Sequence, residues 1–538
     1  MNVMNLLTAN KLLFILQWIL IALPLNGYIH PDEYFQATEI MASDVLHLKS
    51  CRTWEWNCIS LSRNVIFPTA VAGLPFWILK TLSKLSGFEL NAQLLVIAPR
   101  IFMGFVTLTV DWLLSKFTGT VLEFTKEQGT FVTFLFRSSH VTLTFSMRTF
   151  SNNVESLLLM FILLLPLHKT KSSFLHCFIG FLNILGFFIR PSSLCFFVMP
   201  MFVSTILMFY KWWAATKTVG AILKYCYMLL VGGSLAAILC ISLDSWYCTE
   251  GRVINWSISP LNLLSYNFDM ENLKLHGIHP WYLHLTVNMI LMFGPLYILL
   301  IWRCIIAVKG FSQNLYGYYN MQTYLAACVI VPVCILSLIR HQEPRYILSV
   351  LLPLTCFVAT GAEIIRSRLF YISWLFFNFL GVIWFGFAHQ AGVLPSISHL
   401  SSHLSGSNGS NVLIIYWKTY KVPEHLLLQR KYDSAITLKD MAGADWKLVG
   451  KELDTAFQRT YDKILLVCPS SVAVDTELQK HSTWKLEESF FPHITTEDLP
   501  LDLLYKTIQL EDVNHWLLTV MHLFSLNIYS VYPLYSPT

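Results

Sequence analysis

KLLFILQWILIALPLNGYIHPDEYFQ, residues 11–36, joins a long apolar run to a tight acidic cluster. A helix needs about 20 apolar residues to cross the hydrocarbon core of a bilayer, and residues 12–29 nearly supply them. No small-x-small cleavage site follows Leu25–Tyr28, so the run reads as a retained anchor rather than a signal peptide. His30, Pro31, Asp32 and Glu33 come directly after it. Pro31 suits the first turn of a helix, and the helix dipole favours Asp32 and Glu33 at that end. At helical spacing Tyr34, Ala37, Met41, Val45 and Leu48 form an apolar stripe, while Asp32, Gln36, Glu39 and Ser43 form a polar one. The expectation is an amphipathic helix lying on the membrane surface. An isolated Asp-Glu pair commonly does no more than cap a helix. This pair sits at the end of a span, where ionisable groups are costly and mark function.

The same pattern extends through the chain. Of 538 residues, 55% are hydrophobic and only 13% are charged, against about 25% charged in soluble domains. Apolar stretches near 12–29, 66–86, 92–114, 130–147, 154–168, 174–190, 193–212, 220–242, 282–302, 322–340, 346–364 and 368–388 are candidate spans. The net charge of +5 is small and its basic residues lie in short loops, which excludes a nucleic-acid patch. Basic residues mark cytosolic loops: Lys116 and Lys126, His168–Lys171, Lys211 and Lys217, Arg303 and Lys309, Arg366 and Arg368. The parity works if 66–86, with its Lys80, Lys84, Pro68, Gly73 and Pro75, lies flat at the interface. That leaves about 11 spans. The lumenal parts are then 30–65, 148–153, 190–192, 243–281, 340–346 and everything after 389. The sequons at Asn255 and Asn408 fall on that side, as glycosylation requires. Among the 12 cysteines, Cys51 and Cys58 share the first lumenal loop and are candidates to pair.

Polar clusters gather at the lumenal span ends. They are His30–Gln36, Arg148–Asn153 with Glu155, Arg190-Pro191, Asp244–Tyr247, His276–Tyr282, Arg340–Tyr346 and His389-Gln390. Singly, an arginine there is often a snorkelling anchor and a histidine often structural. Together they put carboxylates, histidines and arginines on one membrane face. Glycosyl transfer from a lipid-linked donor needs such a set: a base for the acceptor hydroxyl and cations for the leaving phosphate. A transporter or flippase with an acidic gate also fits the composition. No stretch has metal-ligand spacing such as H-E-x-x-H or D-x-D, and no cofactor or catalytic ion is expected.

In order along residues 10–395, these motifs resemble the lumenal, dolichyl-phosphate-mannose-dependent mannosyltransferases of GT-C architecture. The shared elements are H-P-D-E (30–33), R-T-x-S-N-x-x-E (148–155), F-x-R-P (188–191), D-S-W-Y (244–247), H-G-I-H-P-W (276–281), H-Q-E-P-R-Y (341–346) and His389-Gln390. Y-W-K-T-Y (416–420) and F-F-P-H (490–493) in the tail resemble the branch that acts on GPI-anchor precursors. Members often carry H-K-E where this chain has His341-Gln342-Glu343, and H-Q-R-G where it has His389-Gln390-Ala391-Gly392.

The resemblance implies an all-α polytopic endoplasmic reticulum membrane enzyme with amphipathic helices in its first lumenal loop. Residues 1–395 would be the catalytic domain, 396–410 a Ser-rich linker and 411–538 a small lumenal α/β region. Within the latter, the apolar run 515–537 reads as a buried or interfacial helix. The implied reaction transfers a fourth, α1,2-linked mannose from dolichyl-phosphate-mannose to a GPI precursor, with inversion. Other acceptors, the third GPI mannose or an N-glycan precursor, remain alternatives. Asp32, with Glu33 second, is the expected base. His341, Arg345 and His389 are expected to meet the donor phosphate, with His30, Arg148, Arg190, Asp244 and His279 acceptor-side or structural.

Overall fold

The computed structural model describes residues 3–23, 25–165, 172–216, 219–249, 256–310, 321–404, 411–433, 435–459, 461–472, 482–496 and 513–533. The sequons at Asn255 and Asn408, and the basic positions 168–171 and 217, lie outside them. The chain divides into two compact units, 1–22 with 52–71 and 100–379, and 23–51 with 72–99 and 380–538.

The first unit is helical. Among the described residues, six helices of the chain are long and apolar enough to cross a membrane: Met4–Ala22, Ile66–Ser86, Ala92–Thr120, Ile222–Tyr247, His284–Ile306 and Arg368–Ala388. Shorter apolar helices occupy Ser151–Leu164, Ser173–Ile189, Ser193–Ile206, Met321–Ser337 and Pro344–Ala359. In lipid every backbone polar group must be satisfied within the chain, which selects helices. Large apolar side chains such as Leu223, Leu230, Ile238, Ile372 and Phe376 stand exposed on them, as lipid-facing residues do. Residues 66–86, expected to lie flat, form one continuous helix long and apolar enough to cross a membrane. A π turn at Thr69–Gly73 absorbs the irregularity that Pro68, Gly73 and Pro75 suggested.

Small residues set the helix packing. A Cβ on Gly180 would stand 2.1 Å from the Leu229 carbonyl oxygen, and one on Gly232 would stand 1.7 Å from that of Cys177. Helices Ser173–Ile189 and Val219–Tyr247 therefore touch backbone to backbone, the arrangement small residues permit in membranes. Tertiary packing also fixes the disulfide: Cys58 pairs with Cys248. The expected Cys51–Cys58 pairing is overturned, because the fold carries the loop after Trp54–Trp56 to the end of a helix 190 residues away in sequence.

The second unit holds a five-stranded sheet. Its strands are β1 (Val412–Tyr416), β2 (Ile436–Asp440), β3 (Lys463–Pro469), β4 (Ser482–Phe490) and β5 (Leu526–Pro533), in the order β2-β1-β3-β5-β4. β1 runs parallel to β2 and β3, and β5 antiparallel to β3 and β4. Side chains alternate across a strand. Leu413 and Ile415 of β1 pack with Val449, Leu453 and Ala456 of helix Trp446–Phe457. On the other face the Tyr416 hydroxyl meets Ser396 Oγ at 2.9 Å.

Ser396 belongs to helix Val393–Leu404, which replaces most of the expected linker. Serine content suggested a linker, but Val393, Leu394, Ile397 and Leu400 recur on one face and are buried. The run 515–537 likewise divides, into helix Val513–Leu523 and strand β5. The sheet supplies the backbone partners that hold Leu526–Pro533 extended.

Candidate active site

In the second unit the acidic motif opens a helix. Tyr34 and Phe35 N–H groups donate to the Pro31 carbonyl, a π turn covers Tyr34–Thr38 and an α-helix follows over Glu39–Leu46. Short π segments recur at functional sites. The Asp32 N–H donates to His30 Nδ1 at 3.1 Å, and Gln36 Nε2 donates to Asp32 Oδ2. The Asp32 side chain keeps 25% of its exposure and His30 keeps 30%. Glu33 keeps 2%. Of the two carboxylates, Asp32 is the one with room to meet a substrate.

The polar stripe of this helix does not face water. Gln36, Glu39 and Ser43 are buried, and the C-terminal region meets Glu39. Glu39 Oε1 accepts the His425 N–H and Oε2 the Cys51 N–H, both at 3.2 Å. Lys49 pairs with Glu424 at 3.1 Å. The expected surface helix is thus an interior one.

His389 joins this group. Its Nδ1 lies 2.9 Å from the Tyr28 carbonyl oxygen, an acceptor only, so Nδ1 carries the proton. Its ring stands 5.4 Å from Tyr420, whose ring is also 5.8 Å from Tyr28 and 6.3 Å from His30. Burial, then the neighbouring charges, push the Tyr28 phenol well above its usual range. It stays protonated and donates to the Lys421 carbonyl at 2.7 Å.

A second group forms in the first unit. His341 Nε2 meets Glu343 Oε1 at 2.7 Å, Arg345 Nε donates to Glu343 Oε2, and the Tyr346 hydroxyl donates to Glu343 Oε1 at 3.2 Å. Burial draws the His341 ring down, but the Glu343 hydrogen bond and charge, with the Gly277 carbonyl, outweigh it and raise its pKa. His279 accepts the Gln342 N–H on Nδ1 at 3.1 Å. Burial, then His341, lowers its pKa. The Arg190 guanidinium lies 4.8 Å over the Tyr346 ring and 3.8 Å from Glu155. Ser192 and Ser349 hydroxyls donate to Glu155 at 2.9 and 3.0 Å. Four motifs scattered from 148 to 346 thus form one network.

Other expected residues are structural in their contacts. Asp244 accepts from Asn64 Nδ2 (3.0 Å), the Val65 N–H (2.9 Å) and Ser259 Oγ (2.7 Å). It latches the loop that the Cys58–Cys248 disulfide also holds. Arg148, 1% exposed, donates from Nε to the Thr144 carbonyl. Sequence reasoning assigned no role to Glu343 or Tyr420. A carboxylate two residues from both His341 and Arg345 was a usable signal for the first, whereas nothing local marked the second.

The pattern of the Alg9-like mannosyltransferase family matches residues 9–429. This chain belongs to that family. Its relatives include GPI alpha-1,2-mannosyltransferase 4 of Homo sapiens, 28% identical, with 89% of this chain and 87% of that one covered. GPI mannosyltransferase 4 of Eremothecium gossypii is also 28% identical over 86% and 90%, and that of Saccharomyces cerevisiae 27% over 74% and 72%. Among solved structures, ArnT from Cupriavidus metallidurans bound to undecaprenyl phosphate resembles the chain with a TM-score of 0.46 at 9% identity, covering 89% of this chain and 95% of that one. As a member of the Alg9-like family the chain is a membrane-embedded mannosyltransferase, with the helical architecture and small C-terminal sheet expected of it.

Proposed function

We propose that this chain transfers mannose from dolichyl-phosphate-mannose to the third mannose of a GPI precursor, forming an α1,2 linkage at the lumenal face of the endoplasmic reticulum. Its likeness to GPI mannosyltransferases 4 supports a GPI acceptor, and the human alpha-1,2-mannosyltransferase supports the linkage. The observation that carries the chemistry is Asp32: a part-exposed carboxylate at a helix start, held by Gln36 and flanked by His30. Asp32 takes the proton of the acceptor 2-hydroxyl as that oxygen attacks the anomeric carbon. The bond from that carbon to the phosphate oxygen breaks with inversion, and dolichyl phosphate leaves. In the first unit His341 and Arg345, both held by Glu343, form a separate cationic group of the kind that binds phosphate by charge-assisted hydrogen bonds. His389 is the third candidate for that role. This reading needs no metal ion.

The Cys58–Cys248 disulfide supports the lumenal side, since such bonds persist in oxidising compartments. Cys58 follows Asp32 with no apolar span between them. The test is Asp32→Asn in microsomes supplied with labelled dolichyl-phosphate-mannose and a three-mannose GPI acceptor. Loss of transfer in a folded protein is the expected result. Unchanged transfer removes Asp32 from the mechanism.

A further inference from the structure

We infer that the C-terminal α/β region is part of the active site, and that Tyr420 is a positioning residue whose ring sets the orientation of His30 and His389. The inference rests on the reading of Asp32 as base and goes beyond it to a segment with no assigned role. Tyr420 lies in the loop that leaves the carboxyl end of β1, the middle of three parallel strands. Loops at the carboxyl ends of parallel strands are where α/β proteins place ligand-binding residues. The loop is pinned on both sides of the ring. The Tyr420 N–H donates to Gln390 Oε1 at 3.4 Å, and the next carbonyl, of Lys421, accepts from the Tyr28 hydroxyl at 2.7 Å. Between these anchors the half-buried ring stands edge-on to His389 and tilted against His30.

A second observation comes from the backbone. Gln390 has a φ of 51°, a left-handed conformation that a residue with a side chain seldom adopts. Such conformations persist where surrounding structure enforces them, and they gather at functional sites. Here the enforcing contacts come from the C-terminal region: the Gln390 N–H donates to the Ile494 carbonyl at 3.0 Å, and its side chain holds the Tyr420 N–H. The same region therefore fixes the His389-Gln390 turn and presents the ring that abuts it. An aromatic ring suits this role because its rigid, largely apolar body packs against both imidazoles at once.

The experiment uses the full chain in microsomes and compares Tyr420→Phe, Tyr420→Leu and Asp32→Asn, with thermal stability measured for each. Tyr420→Phe keeps the ring and is expected to stay within about 2-fold of wild-type turnover. Tyr420→Leu keeps the bulk but not the planar face, and is expected to lower kcat by at least about 10-fold while the donor KM moves less than about 3-fold, as displaced catalytic groups do. Tyr420→Met replaces the leucine variant if the latter does not fold. Near-normal kcat in the folded Leu or Met variant, beside an inactive Asp32→Asn, overturns the role of Tyr420 and leaves the base in place. An active Asp32→Asn overturns the reading on which both rest.

Discussion

Replacing Glu343 by Gln leaves His341 Nε2, Arg345 Nε and the Tyr346 hydroxyl around a neutral amide in place of a carboxylate. Removing one partner of a buried ion pair costs about 3–5 kcal/mol. Glu343 keeps 14% of its side-chain exposure, Arg345 5% and His341 19%, so partial solvent screening reduces this to about 2–3 kcal/mol. At roughly 2 °C per kcal/mol for a chain this large, the apparent melting temperature in detergent falls by about 4–6 °C. The pH dependence changes sign as well. In the wild type the folded-state pKa of His341 is raised. Its contribution is fully present below the unfolded pKa and is lost as pH rises through the folded one. With Glu343 neutralised, burial, the largest cause, and Arg345 lower the pKa against the Gly277 carbonyl alone. The contribution then diminishes as pH falls through the unfolded value near 6.5. Melting curves of both proteins from pH 5 to 8 measure the two slopes. A melting temperature and slope unchanged in Glu343→Gln would refute the role of this carboxylate as the anchor of His341 and Arg345.

Cys58→Ser and Cys248→Ser should each expose one additional thiol to a maleimide-polyethylene-glycol mass tag under denaturing, non-reducing conditions, whereas Cys51→Ser should remove one; an extra tag in Cys51→Ser would reassign the bridge. Gly232→Ala places a methyl 1.7 Å from the Cys177 oxygen and should destabilise by about 3 kcal/mol or more, since backbone cannot yield as a side chain does. Gly220→Ala, with nothing within 4 Å of its Cβ, is the control and should be neutral or mildly stabilising; equal melting temperatures for the two variants would contradict the backbone contact. His493 is buried, and burial, then His389, lowers its pKa to about 3. The unfolded chain gains this proton below about pH 6.5 and the folded one does not, so at pH 5 stability drops by about 2 kcal/mol. Hydrogen-exchange protection factors in β5, whose Phe524–Leu526 approach carries the carbonyl that accepts the His493 N–H, should fall at pH 5 relative to pH 7 in the wild type and less in His493→Gln.

The membrane spans were legible because a run of apolar residues is a local property: residues 92–114 and 220–242 reappear within helices Ala92–Thr120 and Val219–Tyr247. The strands at 412–416 and 463–469 are likewise short apolar runs between polar segments. The site motifs were legible as ionisable residues where a bilayer makes them expensive. Residues 396–404 and 526–533 misled because composition weighed serine and apolar content, while the sheet decided which segments found partners.

By itself the sequence determined a polytopic chain, its family and the residue types available for glycosyl transfer, since hydropathy and motif order survive without any fold. Only the tertiary structure decided that Cys58 joins Cys248, that Glu155 meets Arg190 and Ser349, and that Tyr420 stands against both His30 and His389. These are contacts between segments tens to hundreds of residues apart. Their existence depends on how helices and strands pack, and no local pattern encodes which distant side chain will occupy the remaining few ångströms.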